Sequence, residues 1–463
     1  MEQSQCLGCR ERDARIAALE AKVLELEGQL RDLLDQLKPP VPPRLAPELP
    51  AAPAGKPTGR KPGAQQGHAA HLKHRLPPER VNEVVPFVPQ RCRHCAARLP
   101  QEPGPNDPPP TWHQVAELPP LAAQVTEYQG HYRTCPGCGE VTHAAIPAAV
   151  RAYSVGPRLS ATLGYLAGSH GLSKRGLEEV AEAVFDATIA LGTVANLEAE
   201  MSAALAGAHR EALDAIARTP VKNVDETGWK ERGKKRWLWV AATGTLAAFI
   251  ISPWRNPKAL LRLLGSDFVG ILCSDRWRAY DEWPLMQRQV CWAHLKRNWE
   301  KLLERGSKAR AIGQACLGVH QRVFELWHLY RGGGISYQQL DEAMAPLMLV
   351  LQDVLLTGGR SRDRKLARHC ARVLEVSPAL WAFLVCAGVE PTNNHAERVL
   401  RRAVLWRRRS FGCHSADGCR FVERILTVVQ SLSLQQRSVI RFLQEAVVAY
   451  RSGRQGPRLV MDG

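Results

Sequence analysis

Val221-Lys222-Asn223-Val224-Asp225-Glu226-Thr227 opens with a short apolar run, Val221–Asp225, that reads as a strand ending on a carboxylate. Two more strands follow, Arg236–Ala242 and Ala247–Ile251, joined by the turn residues Thr243-Gly244-Thr245. Lys258–Leu264 fits a crossover helix, and Phe268–Ser274 reads as a fourth strand with Asp275 directly after it. Gln289-Val290-Cys291-Trp292 is a fifth, with His294 close behind.

Three strands, a helix, a strand, a helical link and a strand, with Asp ending the first and fourth, is the ribonuclease H-like pattern. Residues 300–388 look mostly helical, with Arg331-Gly332-Gly333-Gly334 as a break between helices. Beyond this insertion comes Asn393-Asn394-His395-Ala396-Glu397-Arg398. Pro391 stops the preceding segment, and Asn393 or Asn394 can cap a new helix. Ala396, Val399, Leu400, Ala403 and Val404 make its apolar stripe, and Glu397 flanks that stripe. The expected fold is therefore a multidomain α/β protein with helical segments. Its ribonuclease H-like core occupies 219–299 and 389–455, interrupted by the helical insertion 300–388.

Three carboxylates from such separated segments suit phosphoryl transfer, in which two divalent cations stabilise the attacking and leaving oxygens. Carboxylate oxygens are natural ligands for Mg²⁺. Asp225 is placed to bridge two ions, Asp275 to hold one and Glu397 the other. Each carboxylate alone has a plainer reading. A strand-end Asp is usually a turn residue, and Glu397 with Arg401 four residues on is usually a surface ion pair. Glu226 is the nearest rival of Asp225 but points to the opposite face; Asp281 and Glu282 are weaker rivals of Asp275. His294 could touch DNA, orient a carboxylate or be a buried structural histidine. Arg398, Arg401, Arg402 and Arg407-Arg408-Arg409 could grip phosphates.

Lys plus Arg number 62 against 45 Asp plus Glu, a net charge of +17, which favours a polyanionic partner. No apolar run is long enough to span a bilayer and the first residues do not read as a signal peptide, so a cytoplasmic protein without membrane contact is expected. Residues 1–38 carry a heptad seam: Ile16, Leu19, Val23, Leu26, Leu30, Leu33, Leu37. With Arg15 facing Glu20 and Lys22 facing Glu27 across the pair, this predicts a parallel homodimeric coiled coil, against the alternative of one amphipathic helix on the protein's own core. Residues 39–80 are a Pro-rich linker ending in a basic arm. Residues 81–150 hold Val-rich, strand-like pieces and two pairs, Cys92/Cys95 and Cys135/Cys138, which suit a structural Zn²⁺ in a DNA-binding module. The intervening segment is expected to fold back as a hairpin. Cys6 and Cys9 could share a Zn²⁺ across a dimer or be idle thiols. Residues 151–218 look helical, with Ser173 capping Lys174–Phe185 and a second helix opening around Gly192-Thr193. That spacing suggests a helix-turn-helix, or a helical pair that only packs.

Together these motifs make the chain resemble transposases of the insertion-sequence-66 family, within the DDE group. The resemblance runs through the leading coil, Gly59-Arg60-Lys61-Pro62-Gly63-Ala64-Gln65-Gln66-Gly67-His68, the Cys pairs and Val224-Asp225-Glu226-Thr227-Gly228. It continues through Ser274-Asp275, Cys291-Trp292-Ala293-His294, Asn393–Arg398 and Ser410-Phe411-Gly412 to Phe421-Val422-Glu423-Arg424. It implies Asp225, Asp275 and Glu397 as the catalytic triad, with two Mg²⁺ (or Mn²⁺) ions per site. It implies double-stranded DNA as substrate, both element ends and target, with small accessory proteins of the same element as further partners, in a bacterial cytoplasm. Two rival functions keep the same scaffold: a non-catalytic DNA-binding regulator and a structure-specific nuclease.

Overall fold

The computed structural model describes residues 75–266 and 268–461. The expected coiled coil, Cys6 and Cys9, and most of the linker and basic arm lie outside the described residues. The chain divides into two compact units, Met1–Ala116 and Glu117–Gly463, and the boundary falls within the segment 81–150.

In the first unit, Arg91 and Arg98 form an antiparallel bridge around Cys92–Cys95. The Cys92 amide donates to the Ala97 carbonyl (2.9 Å) and the Ala96 amide to the Cys92 carbonyl (3.0 Å). In the second unit, strands β1 (Tyr132–Thr134) and β2 (Val141–His143) pair around Cys135–Cys138. There the Gly139 amide donates to the Cys135 carbonyl (2.9 Å). Gly139 takes the left-handed conformation (φ 75), and Ala96 takes it in the first pair (φ 58). A Cβ in that region costs roughly 1–2 kcal/mol, so the first turn is held against an intrinsic preference. Each Cys pair thus forms its own hairpin tip. The expected single hairpin between the pairs is not found: residues 100–131 contain neither helix nor strand, and Val84–Val88 is not a strand.

The rest of the second unit is built on a mixed sheet of order β5-β4-β3-β6-β7. Its strands are β3 (Val221–Glu231), β4 (Lys234–Ala242), β5 (Ala247–Ser252), β6 (Ile271–Ser274) and β7 (Arg288–Val290). β3 pairs antiparallel with β4 and parallel with β6. Two sequence expectations are corrected here. β3 runs on past Asp225 to Glu231, because β4 continues to pair with it after β6 has stopped. β6 begins at Ile271 instead of Phe268, because Gly270 (φ 97) makes a turn against β3. A Cβ on Gly270 would sit 2.1 Å from the Pro220 carbonyl oxygen, so only glycine fits.

Helices cover both faces. Before the sheet come α1 (Ala148–Arg151), α2 (Pro157–His170), α3 (Lys174–Phe185), α4 (Leu191–Ala204) and α5 (Ala206–Arg218). Ser173 caps α3, accepting from the Gly176 amide at 3.1 Å. α6 (Pro257–Leu264) is the crossover, and α7 (Trp292–Leu303), α8 (Ser307–Arg331), α9 (Tyr337–Gly359) and α10 (Arg364–Leu374) form the insertion. Last come α11 (Asn394–Ser410), α12 (Ala416–Leu434) and α13 (Val439–Arg451). Strand alternation sorts the core. Trp239 and Ala241 of β4 pack with α2–α6, α12 and α13, while Leu238, Val240 and Ala242 pack with α11 and α12. The insertion has its own core, joined to the sheet through Cys273 and Val290. α4 carries no Lys or Arg, and its Glu198 and Glu200 pair with Lys174 of α3 and Arg451 of α13. These contacts give α4 a packing role.

An exposed strand edge invites pairing with another chain; here the edge of β5 is closed by α12. Ala247, Phe249 and Ile251 donate their amides to the side chains of Ser431 (3.0 Å), Thr427 (3.0 Å) and Glu423 (2.6 Å). Four helical residues rise about 6.0 Å and two strand residues about 6.6 Å, so the two periods run in step. Thr427→Val should leave the buried Phe249 amide unsatisfied and cost about 1–3 kcal/mol in urea unfolding, while Thr427→Ser loses less. Equal stability of Thr427→Val and the parent would show that the ladder contributes nothing.

Candidate active site

The strand register sets the site. Asn223 of β3 lies opposite Cys273 of β6, and Cys273 opposite Gln289 of β7. Two residues farther along, on the same face, this register sets Asp225, Asp275 and Cys291 in a row. The Cys291 amide continues the ladder by donating to the Ser274 carbonyl at 2.9 Å. Asp225 shares its face of β3 with Trp229, which packs among Ala396, Val399, Leu400 and Ala403 of α11. The expected apolar stripe of α11 is therefore buried against the sheet, and Glu397 comes in beside the row.

Asn393 fixes where α11 starts. Its side-chain amide donates to the Val224 carbonyl (2.7 Å), its side-chain oxygen accepts from Asn223 (3.0 Å), and its backbone N–H donates to Cys291 Sγ (3.1 Å). Asn393 stands at the N-cap position, as expected, but makes no side-chain cap bond, because its side chain is committed to β3. His395 Nε2 donates to the Thr243 carbonyl (2.7 Å) just beyond β4. The Asn-Asn-His run thus docks one helix end on neighbouring strands.

Of the three expected carboxylates, Asp275 and Glu397 lie near enough to Asp225 for their charges to act on it. Asp225 is half-buried, and its carboxyl is pushed from an ordinary 3.8 up to about 8. Burial is the largest cause; the negative charges of Glu226, Asp275 and Glu397 add to it. Asp275 Oδ1 accepts the Trp277 amide at 2.8 Å, and the Asp225 carboxylate accepts the Glu226 amide at 2.9 Å. Glu397 does not pair with Arg401. It meets Arg297 of α7 at 3.0 Å and His294 Nδ1 at 3.6 Å. His294 lies on α7 instead of a strand end, since β7 stops at Val290 and the helix begins at Trp292. Burial, then Arg297, holds this imidazole below its usual 6.5.

Glu226 occupies the opposite face. It accepts from Tyr280 Oη (2.6 Å) and pairs with Arg255 (2.7 Å), whose guanidinium lies over the rings of Trp237 and Trp277. Asp281 meets the buried Arg288 at 3.3 Å. These rivals are committed to internal pairs. Among the arginines, Arg407 is bound to Thr227 Oγ1 (2.8 Å) and the Gly228 carbonyl (2.7 Å), and Arg409 to the His170 carbonyl (2.9 Å). Arg398, Arg401 and Arg408 are exposed. The roles of Arg297, Asn223 and Arg255 gave no sequence signal, because each depends on a partner far along the chain.

In the zinc candidates, amides of the turn lower the thiols. Hydrogen bonds from the Cys95 and His94 amides act on Cys92, and those from Gly137 and Cys138 act on Cys135. Thiolate is the form that binds metal. Among the described residues no helix is long and apolar enough to cross a membrane.

The sequence model of the IS66 family of transposases matches residues 153–420. No curated protein matches the chain.

The raised carboxyl of Asp225 has a thermodynamic consequence. Below about pH 4 it is protonated folded and unfolded alike; between about 4 and about 8 only the folded chain keeps the proton, so stability falls as pH rises. Asp225→Asn should remove that loss. In metal-free urea unfolding, the advantage of the variant should grow by at least about 1 kcal/mol from the bottom to the top of this window. A constant difference would contradict the buried, charge-crowded carboxyl.

Proposed function

Because the chain belongs to the IS66 family of transposases, we propose that it cleaves the ends of its own element and joins them to target DNA through a metal-dependent DDE site. The observation that carries this reading is the meeting of Asp225, Asp275 and Glu397 on one face of the sheet, from segments far apart in sequence. The arrangement of β3 to β7 with α11 is read as a ribonuclease H-like core.

The donor set fits magnesium. Carboxylate oxygens are hard ligands, and Asp225 is crowded by negative charge that a cation would relieve. Asp225 would bridge two ions, with Asp275 and Glu397 holding one each. Bound there, Mg²⁺ or Mn²⁺ would activate an attacking water or 3′-hydroxyl and stabilise the leaving oxygen. The protein's own contribution is placement. Asn393 keeps Glu397 in reach, Asn223 keeps Asn393 in place, and burial of Asp225 limits competing water. Exposed Arg398, Arg401 and Arg408 on α11 supply positive charge for the DNA backbone.

The remaining parts follow the same reading. Each Cys pair, Cys92/Cys95 and Cys135/Cys138, would offer its thiols to a structural Zn²⁺, a reading supported by its own hairpin tip and by the lowered thiols of Cys92 and Cys135. Residues 1–38 join two chains, and small proteins of the same element complete the assembly. The helices of 151–218 serve as a platform, since the helix that would read DNA has no basic side chain.

The test supplies labelled element ends, a target plasmid and Mg²⁺. Joined strands are expected. Cuts without joining would indicate a nuclease, and binding without cuts a regulator. Glu397→Gln should bind ends like the parent but cleave at least about a hundredfold more slowly, a loss of roughly 3 kcal/mol in transition-state stabilisation. Undiminished cleavage by that variant would remove Glu397 from the site.

A further inference from the structure

Glu397 belongs to a second constellation that the DDE reading does not use. One ligand atom each from Cys291, His294 and Glu397 lies within 4.8 Å of the others. Cys291 is buried, and the other two are half-buried. A thiol and an imidazole beside one carboxylate are a poor set for Mg²⁺ and a good one for Zn²⁺, Co²⁺ or Cd²⁺.

Two independent observations point to a ligand there. His294 Nδ1 is buried without a hydrogen-bond partner; Glu397 Oε1, 3.6 Å away, is beyond bonding reach. A buried polar atom left so is costly and calls for an explanation. Cys291 Sγ, in turn, accepts the Asn393 amide at 3.1 Å, and the amides of Ala293 and His294 also act on it. Burial pushes the Cys291 thiol up, and the N–H groups that the first turns of α7 and α11 point at the sulfur act against that shift, so a cation bound here would complete the change to thiolate. Both helix starts also fix the ligands: Cys291 is the N-cap residue of α7, His294 stands in its first turn, and Glu397 is one turn into α11.

We propose that Cys291, His294 and Glu397 form a site for a soft divalent cation of the zinc type, and that its occupation withdraws Glu397 from Asp225 and Asp275. Binding releases the Cys291 thiol proton to solvent and displaces Arg297, which holds Glu397 at 3.0 Å. Three protein ligands leave a fourth tetrahedral position for water. Because Glu397 serves both sets, zinc acts as an off-switch against magnesium. The inhibitory half of the proposal rests on the catalytic reading above; the binding half does not.

The test has two arms on the full chain. In the first, Co²⁺ is titrated into metal-free protein and followed by thiolate-to-cobalt charge-transfer absorption. The Cys-pair sites contribute equally to every variant, so the difference reports this site. The parent should bind one further equivalent compared with Cys291→Ser, which keeps an acceptor for the Asn393 amide, and with His294→Gln. Equal cobalt equivalents in all three would overturn the site. In the second arm, micromolar Zn²⁺ is added to end cleavage in millimolar Mg²⁺, each protein being compared with its own zinc-free rate. Inhibition of the parent and its loss in Cys291→Ser are expected; equal inhibition of both, or of neither, would overturn the switch. If no protein cleaves DNA, the catalytic reading fails while the cobalt count still decides the site.

Discussion

One asparagine side chain holds this structure's two halves of chemistry together. Asn393 bonds to β3 through its amide and to Cys291 through its backbone N–H. The partners on β3 are 169 and 170 residues away in sequence. Between them lies the whole helical insertion. Without a directional lock, α11 could slide along the sheet on its apolar stripe, because burial of Ala396, Val399, Leu400 and Ala403 sets depth but not position. Hydrogen bonds supply the position, and buried ones are costly to break. Glu397, one turn on from Asn393, inherits its place from that lock.

The two faces of β3 show two ways to bury a carboxylate. Glu226 is almost fully enclosed and is matched by Tyr280 and by an arginine that lies over two tryptophan rings. Asp225, one residue earlier, has no such cation among the described residues and feels the charges of Glu226, Asp275 and Glu397. The first arrangement is self-sufficient. The second is stabilised when something positive arrives, and this imbalance marks a site more clearly than the presence of acids alone. Arg297 supplies part of that charge to Glu397, at the rim of the site.

The sheet also needs protected edges. On one side α12 gives Ser431, Thr427 and Glu423 to the amides of β5. On the other, the returning insertion meets β7 through Gln289, which donates to the Leu380 carbonyl and accepts from the Phe383 amide. At the lower end of β3, the Cys413 amide bonds to the Lys230 carbonyl at 2.8 Å; the preceding Gly412 has no room for a Cβ there, which would sit 2.2 Å from the same oxygen. The loop after α11 is thereby tied to the strand that carries Asp225.

The sequence by itself determined the kinds of most elements from Lys174 on, because periodicity and turn residues act locally. The strands around Asp225 and Asp275, the crossover helix, the capped helix after Ser173 and the glycine break at 332–334 were all legible in it. So were the three carboxylates, since each ends or flanks a recognisable run. Only the tertiary structure decided how far β3 extends, because that depends on β4 continuing beside it. It alone decided that Asn393 bonds to a strand instead of capping its helix, that Glu397 meets Arg297 instead of Arg401, and that His294 stands on a helix with one nitrogen lacking a hydrogen-bond partner. Each of these is a choice between a near partner and a remote one. Local sequence states only the near one, and the folded chain brings the remote one close enough to win.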